Sequence, residues 1–184
     1  MILIFSAPSG SGKSTLVNHL LNQRNDLEFS VSATSRPPRG TEQNGVAYYF
    51  ITPEEFKQKI ADNEFIEFQE VYNNCFYGTL KSEIERIERN GHHVVFDVDV
   101  KGGVNLKKIF GDKALALFIA PPSIDELRRR LNNRATDSPE MIDQRVAKAA
   151  EELTYSDQFD KIIVNDNLDK AKADTENAIN QFLR

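Results

Sequence analysis

Cysteine is nearly absent from this chain. Cys75 stands alone, which excludes an intrachain disulfide, and no Cys or His lies at the spacing a zinc site needs. It reads as a small, half-apolar residue beside Phe76. Long hydrophobic runs are also lacking, and no apolar stretch nears the length that spans a membrane. Met1 passes straight into a strand-like run without a charged leader, cleavage site or presequence, so a cytoplasmic protein is expected. An excess of positive charge is missing: the formal net charge of -5 argues against a broad nucleic-acid-binding surface, while local basic clusters remain able to bind small anions. Neither internal repeats nor low-complexity tracts occur. What is present suits one globular domain with an inserted subdomain: 184 residues, 40% hydrophobic and 28% charged.

The most informative stretch is Ile2-Leu3-Ile4-Phe5-Ser6-Ala7-Pro8-Ser9-Gly10-Ser11-Gly12-Lys13-Ser14-Thr15, an apolar strand running into a Gly-rich loop that ends in Gly-Lys-Ser. Backbone N–H groups from Ser9 to Ser14 can converge on a β-phosphate if the loop curls without obstructing side chains, which Gly10 and Gly12 permit. Lys13 then reaches the β and γ oxygens, and Ser14 offers a hydroxyl to Mg²⁺. A helix from Lys13 to about Gln23 points its positive end at the same anion. Ala7 stands where the P-loop pattern has its first glycine, and a methyl is the smallest possible intrusion.

Four further apolar runs read as strands: Glu28 to Ala33, His93 to Val98, Ala114 to Ala120 and Lys161 to Val164. Between most of them the apolar spacing is helical, as in Leu80-Ile84-Ile87 and Ile124-Leu127-Leu131. Such alternation predicts an α/β fold with a parallel sheet covered on both faces. From Arg36 to Tyr77 the rhythm breaks into a Pro-Pro-Arg-Gly turn, a short strand Ala47 to Ile51, a helix Pro53 to Ala61 and an alternating strand Phe65 to Val71. In that strand Phe65, Glu67 and Gln69 are expected on one face, with Ile66, Phe68 and Glu70 on the other. The pattern predicts an inserted α+β subdomain. Polar Asn133 to Glu140 reads as a mobile loop between two helices. A closing helix is expected over Leu168 to Leu183, capped by Asp166 or Asn167.

Several side-chain groups carry possible chemistry. Arg36 and Arg39 flank a proline-stiffened turn and either clamp one phosphate dianion or lie solvated. Tyr48, Tyr49 and Tyr77 are phenolic donors or half-buried packing groups. Glu67 and Asp99 match the N1 and N2 donors of guanine, with hydroxyls such as Ser32 and Thr79 for O6; adenine would leave a buried acceptor unpaired. Glu67 alone also suits the solvent face of a strand. Val94-Val95-Phe96-Asp97-Val98-Asp99 has the layout of a strand whose terminal acid, Asp97, holds Mg²⁺ directly or through water, or else caps the next helix. Arg130 and Arg134 share a helix face at i, i+4, while Arg128 and Arg129 are expected in solvent. Arg134 opens the predicted loop and can swing onto a transferring phosphoryl group, with Arg145 on the following helix facing the same space.

Taken in order, these residues resemble guanylate kinases over essentially the whole chain. The likeness is carried by Ser6 to Thr15, by Phe29-Ser30-Val31-Ser32-Ala33-Thr34-Ser35-Arg36-Pro37-Pro38-Arg39-Gly40 and by Asn44-Gly45-Val46-Ala47-Tyr48-Tyr49-Phe50. Asn63-Glu64-Phe65-Ile66-Glu67, Phe76-Tyr77-Gly78-Thr79, Asp97-Val98-Asp99 and Phe118 to Ser123 continue it. The resemblance implies a P-loop nucleoside monophosphate kinase fold. Its parts would be a five-stranded parallel core (about 1–32, 78–124 and 157–184), a GMP-binding subdomain (about 33–77) and a helical lid (about 125–156). It implies ATP-dependent phosphorylation of GMP, and of dGMP, with Mg²⁺ as cofactor. Partners would be small-molecule substrates, with no nucleic acid or membrane and no particular oligomeric state. By the same resemblance Arg36, Arg39, Tyr48 and Tyr77 hold the GMP phosphate, while Ser32, Glu67, Thr79 and Asp99 read guanine. Ser9 to Thr15 bind ATP; Lys13, Arg130, Arg134 and Arg145 surround the transferring group; Asn165 lies near adenine; Ser14 and Asp97 serve the metal.

Three departures from the family pattern stand out. They are Ala7, Lys101 in place of the usual glutamine, and Ala135 after Arg134 where glycine is common. Lys101 is expected to form an ion pair with Asp97 or Asp99, and Ala135 to stiffen the lid hinge slightly. Two rival readings use the same motifs. A ribose bisphosphate phosphokinase would share the P-loop but has no use for guanine-reading acids, and a guanylate-kinase-like scaffold domain would need neither Lys13, Ser14 and Asp97 nor the lid arginines.

Overall fold

The structure, a computed structural model, describes residues 1–133 and 138–184, apart from the side chains of Val71 and Tyr72. It divides into two compact units: Met1–Leu27 with Val95–Arg184, and Glu28–Val94. The chain crosses between them inside two strands, at Leu27–Glu28 and at Val94–Val95.

In the first unit β1 (Ile2–Ser6) leads to α1 (Lys13–Gln23), and after the excursion through the second unit β7 (His93–Val98) leads to α4 (Val100–Phe110). Then follow β8 (Ala114–Ala120), α5 (Ile124–Asn133), α6 (Pro139–Leu153), β9 (Lys161–Val164) and α7 (Leu168–Phe182). The five-stranded sheet runs β2-β7-β1-β8-β9, where β2 is Leu27–Phe29. The strands β1, β8 and β9 are parallel, with Ser6 opposite Phe118 and Ala120 opposite Val164. Every residue of β1 and β8 is buried, which is why these runs read as continuous apolar segments rather than alternating ones. Helices α5 and α6 share a cluster of their own, Leu127, Leu131, Ile142, Val146 and Ala149. Ser138 caps α6 ahead of Pro139, and Asn167 rather than Asp166 caps α7. The predicted loop Asn133 to Glu140 centres on residues 134–137, so Arg134 and Ala135 lie outside the described residues.

The second unit holds β3 (Ala33–Thr34), β4 (Tyr49–Phe50), α2 (Pro53–Ala61), β5 (Phe65–Tyr72), β6 (Cys75–Leu80) and α3 (Lys81–Arg89). Its sheet runs β4-β3-β6-β5 over a core of Ala33, Phe56, Phe65, Phe76 and Leu80, in which Phe56 stacks on Phe65 at 4.3 Å. A capping box between Thr52 and Glu55, with Pro53 just inside, explains why α2 starts where expected.

Several expectations need correction. The run Glu28 to Ala33 is not one strand: it breaks at residues 30–32 into β2 and β3, which belong to different sheets. The Val31 N–H turns instead to the carboxylate of Glu83, at 3.0 Å. The short strand shrinks from Ala47–Ile51 to Tyr49–Phe50, and Leu80 ends β6 instead of opening a helix. In β5 a bulge between Phe65 and Glu67 reverses the alternation, so Phe65 and Phe68 share a face with ring centroids 6.1 Å apart. Gly78 opposite makes the bulge possible, because a Cβ there would lie 2.7 Å from the Glu67 carbonyl oxygen. Helix α3 lies in the second unit, and α5 and α6 lie in the first. Among the described residues no helix is long and apolar enough to cross a membrane.

Candidate active site

Between β1 and α1 the chain curls through Ser9 to Gly12. Gly10 and Gly12 have φ of +94° and +90°, a region closed to most side chains. Ala7, by contrast, is buried and is not among the positive-φ residues, so its methyl costs the loop no backbone strain. Helix α1 has no side-chain cap and no acid in its first turn, leaving its opening N–H groups and dipole for an anion.

This loop forms one wall of a cleft of about 540 Å³, lined also by Asp97 near the end of β7, by Asp99 just after it and by Arg145, Lys148 and Glu152 on α6. Lys13 Nζ lies 2.5 Å from Asp97 Oδ1 and donates to the Val98 carbonyl at 2.7 Å. The pairing follows from sheet order: β7 neighbours β1, so both strands deliver their carboxyl ends to the same edge. Asp97 therefore faces the cleft, and the acid that caps the next helix is Asp99, whose Oδ1 accepts from Gly102 N at 2.7 Å. Arg145 donates to the Ser9 hydroxyl at 2.7 Å. Asn165 is buried beneath the loop, donating to the Ser11 carbonyl at 2.8 Å; a Cβ on Gly12 would sit 2.2 Å from its amide nitrogen. Arg130 is turned to the Asn165 carbonyl at 2.9 Å and to Glu126 at 2.8 Å.

Lys101 does not reach Asp97 or Asp99. It stands exposed in the first turn of α4, 3.7 Å from Glu151. Arg128 and Arg129 are exposed, as expected, and pair at the surface with Asp143 on α6 and with Glu126. Sequence reasoning missed Glu152 and Lys148. Burial raises the Glu152 carboxyl pKa; Lys148 opposes the shift, Asp99 adds to it and Lys13 opposes it. The signal available was the spacing of 145, 148 and 152, which places all three on one face of a helix.

In the second unit Arg36 is held from every side. Its guanidinium donates to both carboxylate oxygens of Glu42, at 2.6 and 2.8 Å, and from Nε to the Tyr77 hydroxyl at 3.1 Å, while lying 5.0 Å over the Tyr48 ring. The solvated reading therefore fails for Arg36. Arg39 is exposed, and its backbone N–H joins the same Glu42 carboxylate at 2.8 Å. Hydrogen bonds from Arg36 and from the Arg39 backbone hold the Glu42 carboxyl down at about 2. Tyr48 is shifted upward, chiefly by burial, and so keeps its proton at neutral pH. On the neighbouring strand pair, buried Thr79 donates to Glu67 Oε1 at 2.9 Å, which fixes the carboxylate on the face of Thr79. Ser32 stands partly exposed within the break between β2 and β3, its carbonyl accepting from Tyr49 N at 2.9 Å.

A phosphate-cradling loop between a parallel strand and a helix, with a lysine on it and an acid at the end of the next strand, defines a P-loop nucleotide phosphotransferase. The guanylate kinase family model matches residues 1–182. A guanylate kinase of Bacteroides fragilis is 59% identical over 182 residues, covering 99% of this chain and 89% of that protein. One from Porphyromonas gingivalis is 55% identical, covering 99% and 97%. The crystal structure of guanylate kinase from Anaplasma phagocytophilum superposes with a TM-score of 0.75 at 30% identity, over 98% of this chain and 85% of that one. The chain belongs to the guanylate kinase family, and is an enzyme of the nucleoside monophosphate kinase class.

Proposed function

We infer that this chain transfers the γ-phosphoryl group of ATP to GMP, giving GDP and ADP. The observation that carries the reading is the cleft in which the P-loop, Lys13, Asp97 and Arg145 converge, in a chain of guanylate kinase type from end to end. The phosphate of GMP is already anionic at neutral pH, so an oxygen of it attacks the γ-phosphorus in line without a general base. Catalysis then rests on positioning and on cations that neutralise the charge spread over the transferring group. Lys13, Arg145, Arg130 and Arg134 supply those cations. Ser9 to Thr15 cradle the donor phosphates, and Asn165 holds the loop from below.

For the acceptor, Arg36, Arg39, Tyr48 and Tyr77 hold the phosphate, and Ser32, Glu67, Thr79 and Asp99 read guanine. Thr79 acts by aiming the Glu67 carboxylate at the donors at N1 and N2. None of these groups requires a ribose 2′-hydroxyl, and dGMP is a second acceptor. Residues 125–156 act as the lid that excludes water, the competing acceptor.

The donor set suits Mg²⁺. Among the described residues no three acids, histidines or cysteines stand close enough to hold a metal by themselves, which leaves the Ser14 hydroxyl, Asp97, water and the triphosphate. Bound there, the ion would neutralise charge on the β and γ phosphates. A coupled assay offering ATP with GMP, dGMP, AMP, CMP, UMP or ribose bisphosphate tests the whole reading. Turnover with GMP and dGMP alone is expected; equal turnover with AMP or with ribose bisphosphate overturns it.

A further inference from the structure

Glu83 is the most completely satisfied buried acid among the described residues of the second unit. Its side chain is 2% exposed, yet each carboxylate oxygen has two donors. Oε1 accepts from Val31 N and Arg86 Nη2, both at 3.0 Å; Oε2 accepts from the Tyr49 hydroxyl at 2.9 Å and from Arg86 Nε at 3.0 Å. Burial works to raise its pKa, but hydrogen bonds from Arg86, Val31 and Tyr49 outweigh it and leave the acid ionised. Arg86 is itself anchored by an ion pair to Glu28, which also accepts from His92 at 2.8 Å and Asn90 at 3.2 Å.

The bonds close a ring. Glu83 holds the N–H of Val31; the next residue, Ser32, accepts the N–H of Tyr49; and the Tyr49 hydroxyl returns to Glu83. Two residues of the proposed acceptor site border this ring directly. Ser32 is part of it, and Tyr48 precedes Tyr49, with its ring 5.8 Å from that of Tyr77 and under the Arg36 guanidinium. We propose that Glu83 is a positioning residue for the acceptor nucleotide: it touches no substrate, but it sets Ser32 for the base and Tyr48 for the phosphate through a single buried carboxylate. The geometry explains why the strand breaks at residues 30–32. A buried acceptor takes the Val31 N–H that a continuous ladder would have used.

The proposal rests on the acceptor-site assignment above, and the test separates the two. Glu83→Gln keeps the shape but brings an NH₂ against donors, so one side of the ring must open. The expected result is a KM for GMP raised about tenfold, with kcat and the KM for ATP within about twofold of wild type. Tyr49→Phe opens the ring with less risk to folding and is expected to raise the GMP KM about threefold. A folded Glu83→Gln protein with unchanged GMP KM, or with both KM values raised alike, overturns the proposal, as does an unmoved GMP KM in Tyr49→Phe should Glu83→Gln not fold. Glu67→Gln run alongside tells the readings apart. If it too leaves the GMP KM unmoved, the acceptor-site assignment falls; if it raises the KM while Glu83→Gln and Tyr49→Phe do not, only the positioning role falls.

Discussion

Lys13 and Asp97 form an ion pair of 2.5 Å across the carboxyl ends of adjacent strands, with Lys13 also bonded to the Val98 carbonyl. The lysine is thus stored at the end of β7, beside the loop it serves, with side chains only 17% and 23% exposed. On the proposed reading, an entering triphosphate would compete with Asp97 for this ammonium and would leave the carboxylate available to a metal. Replacing Lys13 by Ala removes the cation that meets charge developing on the transferred group. Turnover is expected to fall by about a thousandfold, while the far-ultraviolet circular dichroism spectrum stays that of the wild type. Near-normal GDP formation by Lys13→Ala would sink the assignment.

On the proposed reading, guanine selection rests on carboxylates facing ring donors. In Glu67→Gln the amide can still accept from Thr79 but offers N–H where the base also has N–H. The GMP KM is expected to rise by about one to two orders of magnitude, with ATP affinity, measured by titration of the free enzyme, unchanged. Asp99→Asn should move the GMP KM in the same direction.

Asn165 tests a different part of the cleft. Its buried amide braces the Ser11 carbonyl from beneath the loop. Asn165→Ala should cost about 1 kcal/mol of stability, read from urea unfolding, and weaken ATP several-fold with little effect on GMP. Equal weakening of both nucleotides would mean that the brace does not act on the loop specifically.

Stability of the second unit should depend on acid. Burial alone would raise the Glu28 carboxyl, but hydrogen bonds from His92, Arg86 and Asn90 dominate and bring it to about 2 from an ordinary 4.5. The folded state therefore binds this proton less readily than the unfolded one. The stabilisation is complete above pH 4.5 and is lost as the pH falls toward 2. Between those values Glu28→Gln should show a flatter decline of the urea midpoint than wild type; parallel declines would remove Glu28 from the account.

Much of the donor side was legible along the chain because its parts are contiguous. Gly10, Gly12, Lys13 and Ser14 act through local backbone geometry, and the Thr52–Glu55 capping box and the Ser138 cap lie within one turn of what they cap. Helix α4 was hidden for a similarly local reason: Gly102 and Gly103 lower its intrinsic propensity, and its Asp99 cap and its packing against β1 and β8 restore it. The run 28–33 looked like one strand because its composition is that of a strand; its break depends on Glu83, 52 residues away from Val31.

By itself the sequence determined the elements that local chemistry decides: the phosphate loop, the caps, the buried central strands and the class of enzyme. Tertiary structure alone decided which charge meets which. Asp97 and Asp99 are two residues apart and of one kind, yet one faces Lys13 and the other caps a helix. Lys101 beside them turns to Glu151 on α6. A carboxylate's role is set by the donors within about 3 Å of it, and those are chosen by strand order and helix packing rather than by neighbours along the chain.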